Sequence, residues 1–292
     1  MSQRLKVLKT WKLYLNGEFP RTESGRSQLI KDRSGKPMAQ VCLASRKDLR
    51  NGVSAARKAS LDWEKRTPFN RGQIIYRLAE MLEGKTNEFV ELLAATVPGG
   101  ERRARKEVGA ACDRLVHYAG WADKFIQVLG NANPVAGPFY NFTIPEATGV
   151  VGVVAPEEEP LLGLISLIAP PLCAGNTLVA IGSSQHPLAT SLFGEVCATS
   201  DVPAGVVNLL TANRDELIPV LASYRDVNAI HAAGCNLDQK TTLENGAAEN
   251  LKRVKVRSLT GKEWYDSALC HSPYWIESFL EMKTIWHPSS AG

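Results

Sequence analysis

The sequence has no Cys-x-x-Cys pair, no bilayer-length apolar run free of helix breakers, and no large excess of charge of either sign. Each absence removes a class of protein. Six cysteines (Cys42, Cys112, Cys173, Cys197, Cys235 and Cys270) lie far apart in 292 residues, which points to a reducing, cytoplasmic setting and away from a disulfide framework. No apolar signal segment follows the charged start Met1 to Lys12. The most apolar window, Leu161 to Ile181, is as long as a membrane span, but Pro170, Pro171, Asn176 and Thr177 interrupt it. It reads as a buried helix followed by a buried strand, so no membrane contact is expected. The net charge of +4, from 34 basic and 30 acidic residues, is too small to point to nucleic acid. The run Arg102 to Lys106 suits a solvated helix, and Lys252 to Arg257 suits a strand that alternates with Val254 and Val256. Histidines are few and scattered, and none stands at ligand spacing from Glu157-Glu158-Glu159, so no metal is expected. Those glutamates are read as an anionic cap for a helix that begins near Pro160.

What is present is apolar periodicity, with 44% hydrophobic residues to build one large core. Leu13 to Phe19 and Ser24-Gly25, with Asn16-Gly17 as a turn signal, predict an N-terminal hairpin. From Lys47 to about Trp121 the pattern is helical, with Leu49, Val53, Ala56, Ser60 and Trp63 on one stripe and Ile74, Leu78, Met81 and Leu82 on the next. Pro68, Gly84 and Pro98-Gly99-Gly100 separate these helices. Asn131 to Pro145, around the apolar run Phe139 to Ile144, suits a hairpin that leaves the core. After Gly149, apolar strands near Val150, Leu178, Val206, Val227 and Val254 alternate with helical stretches. The fold class predicted is α/β, a Rossmann-like parallel sheet of about five strands with an N-terminal hairpin and helices. The stretch Gly261 to Gly292 is too short for a second catalytic domain.

One series of short motifs is more specific than any of these patterns. Gly149-Val-Val-Gly152-Val-Val-Ala155-Pro156, Pro160-Leu161-Leu162, Ala174-Gly175-Asn176-Thr177, Ser183, Pro187-Leu188 and Val202 to Asn208 resemble the aldehyde dehydrogenase superfamily in order and spacing. Tyr14 to Gly17, Tyr118 to Trp121, Gly234 and Asn250 to Val254 extend the resemblance. The resemblance implies a cofactor-binding domain over residues 1–260, with a hairpin excursion at about 123–148. It also implies a tail over 261–292 whose Phe279 to Trp286 is similar to the family's closing strand, which is expected to pair across subunits. The resemblance covers the cofactor-binding part and implies a module that lacks the family's catalytic domain. The arrangement is similar to the truncated second module of the family 16 aldehyde dehydrogenases.

The departures from the family pattern fall on the chemistry. Glu157-Glu158-Glu159 replaces the triplet that carries the oxyanion asparagine, and a carboxylate cannot donate that hydrogen bond; losing one such donor typically costs about 10² to 10³ in rate. Ile181 and Ser184 align with the ribose-binding lysine and glutamate, whose charge-assisted bonds would each contribute about 1.5 to 3 kcal/mol. Arg257 and Ser258 precede the Gly261-Lys262 segment where the general base belongs, and Cys270 lacks the glycine-rich context of a nucleophile. Gly182, where the family has proline, is expected only to loosen a turn. Pro156, Ser183 and Gly234 remain as matches to the cofactor site, each with a structural reading as strand stop, turn serine and tight bend. No catalytic residue and no cofactor are therefore expected, with NAD or NADP bound weakly if at all. The leading reading is a non-catalytic module for assembly, its partner a second copy or a catalytic aldehyde dehydrogenase module. The alternative is part of an NAD(P)-dependent aldehyde dehydrogenase whose active site another module supplies, and a third reading is a regulatory binder with weak nucleotide affinity.

Overall fold

A computed structural model describes residues 7–289. Strands β1 (Thr10–Trp11), β2 (Ser27–Lys31) and β3 (Pro37–Cys42) form a small sheet with β3 in the middle, parallel to β1 and antiparallel to β2. The Asn16-Gly17 turn forms, with both residues in the left-handed region (φ 53° and 79°) and Leu15 and Glu18 exchanging backbone bonds across it. Its flanking strands are a single residue pair long, because Tyr14 turns away to pair with Leu209. The longer N-terminal hairpin is β2 to β3.

Helices α1 (Arg46–Glu64), α2 (Pro68–Gly84), α3 (Thr86–Thr96), α4 (Gly100–Trp121) and α5 (Phe125–Leu129) follow, punctuated where the sequence predicts. Ser45 and Asp48 close a reciprocal capping box at the start of α1, and Thr67 caps α2 ahead of Pro68. The hairpin β4 (Asn131–Ala132) and β5 (Phe139–Ala147) then leads into alternating strands and helices: β6 (Val150–Val154), α6 (Pro160–Cys173), β7 (Thr177–Ile181), α7 (Pro187–Ala198), β8 (Val207–Leu210), α8 (Arg214–Ser223), β9 (Ala229–Ala233), α9 (Leu237–Ala248) and β10 (Arg253–Arg257).

These five strands form one parallel sheet in the order β10-β9-β6-β7-β8. The period of two divides each strand between two cores. Val151, Val153, Leu178, Ala180 and Leu209 face α6, α7 and the α2–α4 layer, whereas Val150, Val154, Val179, Ile181 and Leu210 face α1, α8 and α9. Helix α6 lies inside the first core with all 14 residues buried, which is why its sequence is apolar on every side. No helix among the described residues is long and apolar enough to cross a membrane.

After a 3₁₀ turn (Gly261–Tyr265), two short helices, α10 (Ser267–Cys270) and α11 (Tyr274–Glu277), lead to β11 (Leu280–Pro288). This tail belongs to the main core, since Trp264, Cys270, Trp275, Ile276 and Phe279 are buried in it; residues 290–292 lie outside the described part. The closing strand corrects one expectation. β11 pairs with β5 of its own chain, in nine antiparallel residue pairs from Leu280↔Ala147 to Pro288↔Phe139. The nearest strand of matching length is intramolecular, and no second subunit is needed to satisfy that edge.

Gly182 corrects another. Any Cβ there would lie 2.0 Å from Thr190 Oγ1 and 2.7 Å from Thr190 Cβ, so the glycine lets α7 approach the end of β7. We predict that Gly182→Ala destabilises the fold by about 1 to 3 kcal/mol through overpacking, measured as a lower urea midpoint at unchanged slope. An unchanged midpoint would mean that Thr190 moves aside freely.

Candidate functional site

The strand order has one reversal. The chain runs outward from β6 through β7 to β8, then crosses back to β9 on the other side of β6. Sheets wound this way take ligands at the carboxyl ends of the two strands that flank the reversal. Here those ends are Ala155-Pro156-Glu157 after β6 and Gly234-Cys235 after β9. Pro156 and Gly234 are brought together: a Cβ at Gly234 (φ 60°) would lie 3.1 Å from Pro156 Cα, and one at Gly163 would lie 2.3 Å from Pro156 Cγ. The proline is thus seated between two glycines.

Glu157 occupies the centre of this end of the sheet. Its carboxylate accepts from Ser183 Oγ at 2.5 Å, from the Gln185 backbone N–H at 3.0 Å and from the Ser184 N–H at 3.3 Å. Ser183 is fully buried, and its Oγ also accepts from His186 N at 2.9 Å. These donors line the loop before α7, where a helix start offers N–H groups to anions. The anion that takes them is a carboxylate of the same chain.

Arg214, in the first turn of α8, completes the arrangement. It is 3% exposed, and its guanidinium reaches Glu157 at 3.3 Å, the carbonyls of Ala233 and Gly234 at 3.2 Å each, and Cys235 Sγ at 3.5 Å. Its own backbone N–H donates to Ser184 Oγ, which donates in turn to Ala212 O. The ion pair therefore ties together the ends of β6, β7, β8 and β9. Arg214 was not singled out from the sequence, although a cation in the first turn of a helix, against the dipole, was a signal of an interaction elsewhere.

The other two glutamates serve other partners. Glu158 accepts from the Gly261 N–H at 2.9 Å. Glu159, at φ 47° and 4% exposed, accepts from Arg103 at 2.8 Å and from the Tyr265 hydroxyl at 2.6 Å. None caps α6 with its side chain, contrary to the expectation from sequence. The cap is Glu107 of α4, whose Oε1 accepts from Leu161 N at 2.8 Å and Leu162 N at 3.2 Å. Consecutive side chains at the turn project in different directions, so each glutamate finds a different segment, while Glu107 approaches the helix start side-on. Beside them is a cavity of 620 Å³ lined by Val97, Pro98, Arg103, the three glutamates, Gln185, His186 and Gly261. Among the described residues, no three His, Cys, Asp or Glu side chains converge as a metal site.

Residues 19–263 match the model of the aldehyde dehydrogenase family. The chain belongs to that family. An aldehyde dehydrogenase of Aspergillus niger is 30% identical over 252 residues, 86% of this chain and 50% of the relative. The cytosolic 10-formyltetrahydrofolate dehydrogenase of Xenopus laevis is 32% identical over 258 residues, 86% of this chain and 28% of the relative. The structure of an aldehyde dehydrogenase from Bacillus cereus in complex with NAD+ superposes with a TM-score of 0.80 at 26% identity, over 85% of this chain and 50% of that one. The chain thus spans about half the length, or less, of these aldehyde dehydrogenases, in keeping with a truncated module of the family.

Measured against the family pattern, each aligned position is engaged internally. Ile181 is fully buried at the end of β7, and Ser184 bonds the β8–α8 loop. Arg257 donates to His231 Nε2 at 3.0 Å and stacks 4.0 Å over Trp275; burial pushes its pKa down to about 10. His231 Nδ1 donates to Leu167 O, so both ring nitrogens are used by the neutral imidazole. Burial, then Arg257, holds its pKa well below the usual value. The Cys270 thiol is fully buried and pushed up by that burial. His271 stacks face to face on His117 at 4.2 Å; burial, followed by Arg114 and His117, takes its pKa down to about 4.

Removing Arg214 leaves Glu157 and two carbonyls short of a donor. Arg214→Met is expected to cost about 2 to 3 kcal/mol, below the range for fully buried pairs because Glu157 is 24% exposed. Urea denaturation reads this directly, and a loss within error of zero would show that water replaces the guanidinium.

Proposed function

We propose that this chain is a non-catalytic member of the aldehyde dehydrogenase family that serves assembly, with a second copy or with a catalytic aldehyde dehydrogenase module, and that it takes up NAD or NADP weakly or not at all. The observation that carries the reading is the Glu157–Arg214 pair. A dinucleotide at the reversal point would need the β7–α7 loop, where the resemblance places the ribose, and Glu157 holds the donors of that loop. The buried arginine fixes the carboxylate in place. The oxyanion position adds to this: Glu158 is an acceptor there, and a carboxylate facing a developing oxyanion raises the barrier. The same residues therefore do not fit the cofactor, and no reaction step is derived through it.

Support for assembly comes from the sheet β11-β5-β4. Its register places Phe139 beside Trp286 on one face, and Tyr140 and Phe142 on the other, with Tyr140 67% and Trp286 58% exposed. Only the two-residue β4 borders β5 on the side away from β11, and the outer edge of β11 has no partner among the described residues. A small sheet with aromatic groups on both faces and open edges is an aggregation hazard unless something covers it.

Three experiments test the reading. Calorimetric titration with NAD and with NADP should give no heat of binding, and micromolar affinity for either would overturn the non-binding part. Light scattering should give a dimer or larger, or a monomer that joins a catalytic module. Deleting Lys283 to Gly292, which bares the edge of β5, should yield a monomer or aggregate, and a well-behaved oligomer of unchanged mass would remove the sheet from the assembly.

A further inference from the structure

Glu107 and Glu159 are both buried, at 0% and 4% exposure, and both stand at the start of α6. One full positive charge serves them, Arg103, which bonds Glu159 at 2.8 Å and also donates to Pro98 O at 3.0 Å. Glu107 spends Oε1 on two backbone N–H groups of α6, and its Oε2 has no partner. Glu159 also holds the closing segment, through the Tyr265 hydroxyl at 2.6 Å. Charged and titratable groups on the elements that meet here include Lys106, which sits 4.1 Å over the Tyr265 ring, Arg114, which donates to Trp264 O, Glu157, paired with Arg214, Glu158, bonded to Gly261 N, Lys262, Glu263, which bonds Thr260, and His186, which lines the neighbouring cavity.

We propose that Glu107 and Glu159 form a proton-operated fastening for the Tyr265 end of Gly261–Tyr265: with one proton on the pair, Glu159 holds Tyr265, and loss of that proton loosens that end of the segment, while Glu158 on Gly261 N and Arg114 on Trp264 O stay in place. Two buried carboxylates facing one arginine and a helix start carry one negative charge too many, and a proton on the orphan oxygen of Glu107 removes it. When that proton leaves, the two carboxylates repel, and the contact that yields is the one to a neutral phenol rather than the ion pair to Arg103.

The direction with pH follows from the same geometry. Burial first, then the charge of Glu159, pushes Glu107 up to about 7 from 4.5. The folded state therefore binds a proton that the unfolded chain has lost, and the contribution of Glu107 to stability, complete below 4.5, fades as pH rises through about 7. Fastening belongs to the acid side of neutrality and release to the alkaline side.

Hydrogen exchange of peptides spanning 261–265, corrected for the intrinsic pH dependence of exchange, tests this in wild type, Glu107→Gln and Tyr265→Phe. Between about pH 6 and about pH 8.5 the wild type should lose roughly tenfold or more of its protection in this segment, with the central sheet unchanged. Glu107→Gln should be equally protected at both values, and Tyr265→Phe equally unprotected at both. Wild-type protection that does not change, or a Glu107→Gln chain that keeps the pH response, would overturn the proposal. Should Glu107→Gln fail to fold, infrared spectra of the wild type decide: a protonated-carboxyl band that disappears over the same interval as the protection supports the fastening, and its absence at both ends of the interval sinks it.

Discussion

A carboxylate set at the carboxyl end of a parallel sheet and only partly open to water must be matched largely by donors of the fold, and Glu157 sets the terms for everything around it. Its charge is met by Ser183, two backbone N–H groups and Arg214, and Arg214 in turn is met by the carbonyls that end β9. Four strand ends are drawn together by one ion pair. The result is a sheet whose carboxyl end is tied together from within, on a scaffold whose Pro156, Gly163 and Gly234 pack closely.

Helix α4 carries the second layer of this internal chemistry. Glu107, Arg114 and Tyr118 lie on the same inward stripe as Val108, Ala111 and Leu115. Glu107 caps α6, Arg114 donates to Ser166 Oγ and Trp264 O, and Tyr118 donates to Cys270 O. His117, at the margin of that stripe, meets the carbonyl of His271. Polar groups inside a core are costly unless each finds a partner, and their partners here are the buried helix and the closing segment. Where the family match ends, at residue 263, α4 supplies the bonds that hold the remaining turn and short helices onto the main core.

The architecture was legible because it is written in repeated units. Apolar residues every second position define the strands, a longer period defines α1 to α4, and Pro170, Pro171 and Asn176 mark where the apolar window changes from helix to strand. The motifs from Gly149 to Asn208 carried the family on residue types alone. The site was legible only in part. Which positions had changed could be read from the sequence, and Glu158, Ile181 and Arg257 were identified that way. What the side chains at and around those positions do instead could not, because Glu157 meets Arg214 across 57 residues and Glu107 meets α6 across 54. The helical period of α4 does place Glu107 and Arg114 on one face with Val108, Ala111 and Leu115, a local signal of their burial but not of their partners.

The sequence by itself determined the alternation of strands and helices, the two-sided burial of the sheet and membership of the family, because period and local turn chemistry act over a few residues. Tertiary structure alone decided that the three glutamates go three separate ways, that β11 closes on β5 of its own chain, and that Gly182 is a point of close approach. Those outcomes depend on which donor, edge or side chain is nearest in space after the sheet has wound, and a linear spacing carries no record of that distance.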